Sequence, residues 1–136
     1  MRIELSRTGD YAVRAVIALA ADRGLVTAAV IAERTGIPRA YVPQVMGPLI
    51  RAGLVANRRG RAGGYCLAGE PSEITLLSVI KAVAGDLRRR TCVLRGGPCG
   101  RSDRECSVHD AFARAQMAAT EALGNASIAD VALRRP

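Results

Sequence analysis

Residues Thr27–Gly53 read TAAVIAERTGIPRAYVPQVMGPLIRAG, and this stretch decides the fold. Thr27 stands as an N-cap before a helix expected over Ala28–Thr35, because its hydroxyl can accept from an unbonded first-turn amide. Gly36 terminates that helix by supplying the left-handed conformation that side chains resist. Ile37-Pro38 makes the turn, and a third helix should run from about Arg39 to Ala52, before Gly53. A short helix, a tight glycine-containing turn and a second helix together read as a helix-turn-helix. Two prolines disturb the picture. Pro43 is tolerable in a first turn, whose amides are unbonded, whereas Pro48, behind Gly47, is expected to kink the helix or cost roughly 3 kcal/mol.

Downstream, Leu54-Val55-Ala56-Asn57 and Tyr65-Cys66-Leu67-Ala68 flank a tip of arginines and glycines, Arg58 to Gly64. Two short apolar strands around such a tip form a β-hairpin, and a hairpin following a helix-turn-helix is a wing. Upstream, Ala12, Val13, Val16, Ile17, Leu19 and Ala20 form a helical stripe between Ser6 and Ala21, with Arg14 on the other face. Thr75 can cap a fourth helix, Leu76–Ala84, closed by Gly85. Residues 86–105 are then irregular around Gly96-Gly97-Pro98.

A last long helix is expected near Ser107, with Ser107 and Asp110 in capping-box spacing. Val108, Ala111, Phe112, Ala115, Ala118, Ala119, Ala122 and Leu123 form its apolar stripe. About nineteen residues at ~1.5 Å each make a rod of roughly 28 Å. The remaining core is too small to bury such a rod, so pairing with a second copy is expected; the alternative is a helix lying along its own domain. The fold class is therefore mainly α with a small β-hairpin: a winged helix-turn-helix plus a long C-terminal dimerisation helix. Residues 1–70 would form the winged helix-turn-helix, 71–106 a connecting helix and cysteine-rich loop, and 107–136 the dimerisation helix and a tail.

The 136 residues suit one domain. No apolar run approaches the roughly 20 residues of a membrane span, and the N-terminus lacks a signal-peptide core, so a soluble cytoplasmic protein is expected. The net charge is +8, and Lys81 is the only lysine among 20 basic residues. Arginine favours bidentate contact with phosphate and guanine edges, which points towards double-stranded DNA. Arg39 and Tyr41 at the start of the candidate recognition helix, with Gln44 one turn on, are the expected groove contacts. Arg58, Arg59 and Arg61 would reach backbone or minor groove from the wing. An enzyme is not expected, since there is no glycine-rich phosphate loop beside a strand and the single His109 has no evident partner beyond Cys106.

Of four cysteines, Cys92, Cys99 and Cys106 lie within fifteen positions, with six residues between successive members. Gly96, Gly97 and Pro98 rule out a continuous helix there, so the loop can fold its thiolates around one centre. Soft thiolates select iron–sulfur clusters or zinc. Cys106 would sit at the start of the last helix, whose dipole favours the ligating thiolate. Arg88, Arg89, Arg90, Arg95, Arg101 and Arg104 can offset the negative charge. Three cysteines leave one position open, for which His109, one turn after Cys106, and Asp10, from the first helix or a partner subunit, are the candidates. Cys66, alone on a wing strand, is most simply a small buried residue.

Together these stretches resemble the Rrf2 family of winged-helix regulators, which includes an iron–sulfur assembly repressor and a nitric-oxide-sensing repressor. The resemblance rests on Gly9-Asp10-Tyr11-Ala12-Val13-Arg14, Ile31-Ala32-Glu33-Arg34-Thr35-Gly36-Ile37, Arg51-Ala52-Gly53-Leu54-Val55 and the wing Arg59-Gly60-Arg61-Ala62-Gly63-Gly64-Tyr65. The cysteine loop and Ser127-Ile128-Ala129-Asp130-Val131 carry it further. It implies a homodimer on a pseudo-palindromic operator, with an iron–sulfur cluster controlling affinity or target choice. Cys92, Cys99, Cys106 and His109 match a two-iron pattern, and Asp10 matches the partner-donated carboxylate of a four-iron pattern. Both patterns are present. Pro43 and Pro48 replace the polar and basic residues usual in the recognition helix, so DNA specificity does not carry over. The rival readings are a thiol-redox or zinc-bound regulator and a winged-helix protein-interaction module.

Overall fold

The computed structural model describes residues 3–85, 87, 91–94, 97 and 106–134. Cys99, Gly96, Pro98 and the loop arginines Arg88, Arg89, Arg90, Arg95, Arg101 and Arg104 lie outside the described residues. Helix α1, Arg7–Ala20, starts where the Ser6 hydroxyl accepts from the Gly9 amide at 3.1 Å. It buries Gly9, Ala12, Ala15, Val16 and Leu19 on one face. That face carries the molecule: α2, Ala28–Thr35, and α3, Val42–Arg51, pack against α1, as do α4, Leu76–Ala84, and α6, Ile128–Leu133. Strand β2, Gly64–Leu67, also rests on it and pairs antiparallel with β1, Val55–Arg58. The core gathers Leu19, Ile31, Ile37, Met46, Leu49, Val79 and Ile128, all fully buried.

The expected caps of α2 and α4 are present. Thr27 accepts from Val30 N–H at 3.3 Å, and Gly36 ends α2 with φ +74°. Thr35 then fixes the turn: its hydroxyl donates to the Ile31 carbonyl at 2.6 Å and accepts from Ile37 N–H at 3.3 Å. Thr75 and Ser78 form a reciprocal capping box at the head of α4.

The third helix differs from expectation. Residues Arg39–Tyr41 form a 3₁₀ turn, and the α-helix begins only at Val42. Pro43 explains the break: it has no N–H for the Arg39 carbonyl, which accepts from Val42 instead. Pro48 does not end α3. It removes the single bond that would reach the Gln44 carbonyl, and Ala52 N–H closes the last turn on the Pro48 carbonyl at 3.0 Å.

The wing is tied to the helix-turn-helix by a reciprocal bridge, Val26 N–H to Tyr65 O and Tyr65 N–H to Val26 O, both 2.8 Å. Glycine is required there: a Cβ on Gly64 would stand 2.6 Å from the Val26 carbonyl oxygen, and one on Gly63 would stand 2.1 Å from that of Arg58.

The last long helix, α5, spans His109–Asn125, beginning two residues later than expected. Ser107 is not its cap: residues 107 and 108 form a turn closed by His109 N–H on the Cys106 carbonyl at 2.9 Å, and Val108 holds the cap position without a side-chain bond. At 17 residues it is about 26 Å long. No residue of α5 is buried. The apolar stripe is divided: Ala119 and Leu123 are half-buried on the flank facing α4, while Ala111, Phe112, Ala115, Ala118 and Ala122 are exposed. Gln116 donates to the Leu87 carbonyl.

Beyond Asn125, where only a tail is expected, the chain returns to the core as α6, capped by Ser127. Leu76 N–H binds the Ala126 carbonyl at 2.9 Å and Ile128 N–H the Ile74 carbonyl at 2.7 Å. Among the described residues no helix is long and apolar enough to cross a membrane.

Two substitutions test these contacts by urea denaturation followed by circular dichroism. Gly64→Ala should lower stability by about 1–3 kcal/mol through the clash with Val26. Thr75→Val should cost about 1 kcal/mol through loss of the cap.

Candidate functional site

The wing arginines Arg58, Arg59 and Arg61 line one groove of about 560 Å³ with Thr27, Ala28, Pro43, Gly47 and Ile50. The tip of the hairpin, the head of α2 and one flank of α3 thus face a common space. Asn57 and Tyr65 of the paired strands line it too. Thr27, Ala28 and Asn57 were not anticipated as part of this surface. Their chain positions carry no marker of it, because the Val26–Tyr65 bridge is what brings wing and α2 together.

Arg39 sits exposed in the 3₁₀ turn and Gln44 exposed in the first turn of α3. Neither lines the groove. Tyr41 has a packing role as well: its ring meets Tyr11 of α1 edge to face, with centroids 5.7 Å apart. The arginines divide into two sets. Arg14 pairs with Asp10, and Arg34 with Asp22. Arg39, Arg58, Arg59 and Arg61 make no ion pair or side-chain hydrogen bond among the described residues. Unneutralised guanidiniums around one concavity create a positive potential suited to phosphate.

Asp10 lies in the first turn of α1, half-exposed. Arg14 Nε donates to Asp10 Oδ1 at 3.0 Å, and Arg14 Nη1 donates to the Thr35 carbonyl at 3.4 Å. One guanidinium therefore joins Asp10 to the last residue of α2, next to the turn that leads into α3.

Cys92 is buried, and its amide donates to the Gly97 carbonyl at 2.6 Å. Cys106 and His109, both half-buried, stand one turn apart at the foot of α5, joined by their backbone bond. Among the described residues no three His, Cys, Asp or Glu side chains are grouped closely enough to hold a metal ion; Cys99 lies outside them. Asp10, Cys92, Cys106 and His109 accordingly do not form such a group among the described residues. The donor chemistry fits a thiophilic centre: two thiols and an imidazole flank the loop that contains Cys99. Cys66 lies apart on β2, half-buried and paired with Ala56.

Comparison with known proteins agrees with this architecture. The profile of the Rrf2 family, described as an iron-dependent transcriptional regulator, matches residues 5–134. IscR of Aliivibrio salmonicida, a helix-turn-helix-type transcriptional regulator, is 42% identical over 92 residues, which is 66% of this chain and 55% of that protein. The chain thus spans little more than half the length of that relative. CymR, the global cysteine regulator of B. subtilis, superposes over 99% of this chain and 100% of its own, with a TM-score of 0.84 and 27% identity. IscR of T. potens superposes over 95% of this chain and 85% of its own, with a TM-score of 0.73 and 30% identity. The helix-turn-helix, the bridged wing and a family match over almost the entire chain lead to one conclusion: this protein belongs to the Rrf2 family of winged-helix transcriptional regulators.

Proposed function

We propose that the chain is a cytoplasmic, homodimeric, DNA-binding repressor whose hold on a pseudo-palindromic operator is controlled by an iron–sulfur cluster. The observation that carries the DNA-binding part is the groove in which unpaired Arg58, Arg59 and Arg61 face α3. The wing arginines would take backbone phosphates, while Arg39, Tyr41 and Gln44 approach base edges or phosphates from the start of the recognition helix. Dimerisation is supported by α5, whose stripe of Ala111, Phe112, Ala115, Ala118 and Ala122 is left exposed by the described residues. Two such stripes packed together would set the distance between two reading heads. Half-sites one helical turn apart, about 34–36 Å, are sensitive to that distance.

Cys92, Cys99 and Cys106 would hold the cluster, with His109 or Asp10 of the partner subunit as the remaining ligand. Bound there, the cluster would supply a centre responsive to nitric oxide, redox state or iron–sulfur supply. The chain's own residues would carry the response. Cys106 and His109 stand at the foot of the dimer helix, and Arg14 links Asp10 to the Thr35 carbonyl beside the recognition turn. Any change in the position of Asp10 would alter that link and, with it, the setting of α3.

The likeness to CymR across 99% of the chain favours a second reading, in which the same thiols act as a redox switch without a cluster. Zinc is the third possible occupant.

Anaerobic purification followed by absorption and Mössbauer spectroscopy separates these readings. The cluster reading expects coloured, iron-containing protein; Asp10→Ala alone should alter the spectrum if the partner's carboxylate is the ligand, and His109→Ala alone if the imidazole is. Colourless protein, iron-free despite ample iron and sulfide, would refute the cluster. For the DNA contact, Arg59→Ala should lower the slope of log K against log salt by about one, the signature of one lost phosphate.

A further inference from the structure

α3 offers few groups able to read a base. Its accessible positions include Pro43, Gln44, Gly47, Pro48 and Arg51, of which only Gln44 and Arg51 carry hydrogen-bonding side chains. The two prolines and the glycine present carbon surface and bare backbone. Direct readout by the helix itself therefore rests on one amide and one guanidinium.

The position of that guanidinium is informative. A Cβ built on Gly47 would lie 3.4 Å from Nη1 of Arg51. Although Arg51 is the last residue of α3, its side chain folds back by one turn and lies beside Gly47, following the N-terminal tilt of helical side chains. Gly47 in turn lines the groove whose opposite wall carries Arg58, Arg59 and Arg61. The charge is thus moved from the end of the helix to its middle. No ion pair or hydrogen bond holds Arg51 among the described residues.

We propose that Arg51, laid against Gly47, is a specificity-determining residue that reads a guanine edge in the major groove. This rests on the DNA-binding reading above. A planar guanidinium offers two parallel donors to guanine O6 and N7, whereas the wing arginines are placed to take phosphates. Gln44 and Gly47 are three residues apart, about 4.5 Å along the axis. Gln44 and the folded Arg51 then address neighbouring base pairs, the amide suited to adenine and the guanidinium to guanine.

The test is a selection from randomised duplex DNA with the full chain, purified anaerobically, comparing wild type, Arg51→Lys and Arg51→Ala. Thermal melting of all three checks folding, which an exposed helix-end residue should not disturb. Wild type should enrich a guanine at one symmetric position in each half-site. Arg51→Lys keeps the charge but loses the planar fork, so the guanine preference should fall by roughly 5- to 150-fold, with binding to unselected duplex unchanged. Arg51→Ala should lose the same preference. An intact guanine preference in Arg51→Lys, a uniform loss across all sequences in Arg51→Ala, or no guanine enriched by wild type would each overturn the assignment. Wild type that bound no duplex at any salt would instead remove the DNA-binding reading, and this assignment with it.

Discussion

Gly9, Ala12 and Ala15 are fully or almost fully buried on one face of α1, and their small side chains let four helices and a strand approach a single axis. With no Trp in the chain and its one Phe exposed on α5, the only rings packed against the core among the described residues are Tyr11, Tyr41 and Tyr65 at its edge. Close approach of helix backbones replaces bulk, and Val16, Leu19, Ile31, Met46 and Leu49 fill what is left. The recognition helix, the wing and the C-terminal α6 all take their positions from this face. A displacement of α1 would therefore be felt at α3 and at the wing strand β2.

That coupling gives the polar contacts of α1 their interest. The Asp10–Arg14 pair is solvent-exposed, and as a stabilising ion pair it contributes little. Its reach to the Thr35 carbonyl matters more, because Thr35 also orients the turn through Ile31 and Ile37. A carboxylate on α1 is thereby connected to the entry of the recognition helix by hydrogen bonds alone. Elsewhere Arg34 is occupied by Asp22, whereas the wing arginines are unoccupied.

α5 leaves and re-enters the fold at two defined places. Gln116 meets the Leu87 carbonyl, and the Thr75–Ser127 bridge fastens the chain just after its end. From Ala111 to Ala122 the helix keeps an exposed apolar stripe on the side away from α4.

Much of this was legible in the chain alone. Thr27, Gly36, Thr75 and Gly85 mark helix ends through local chemistry, and the structure places the boundaries of α2 and α4 there. The wing was readable because glycines and arginines between two short apolar runs leave no other local solution. What local chemistry could not decide depended on distant partners. The residues after Asn125 look like a tail until Ile128 enters the core beside Ile74. Thr27 and Asn57 join the groove only because Val26 and Tyr65 pair across 39 positions of sequence. Caps, turns and helical stripes are set within a few residues and so are written in order along the chain; the closing of the groove and the anchoring of α5 come from long-range pairing, which only the packed molecule decides.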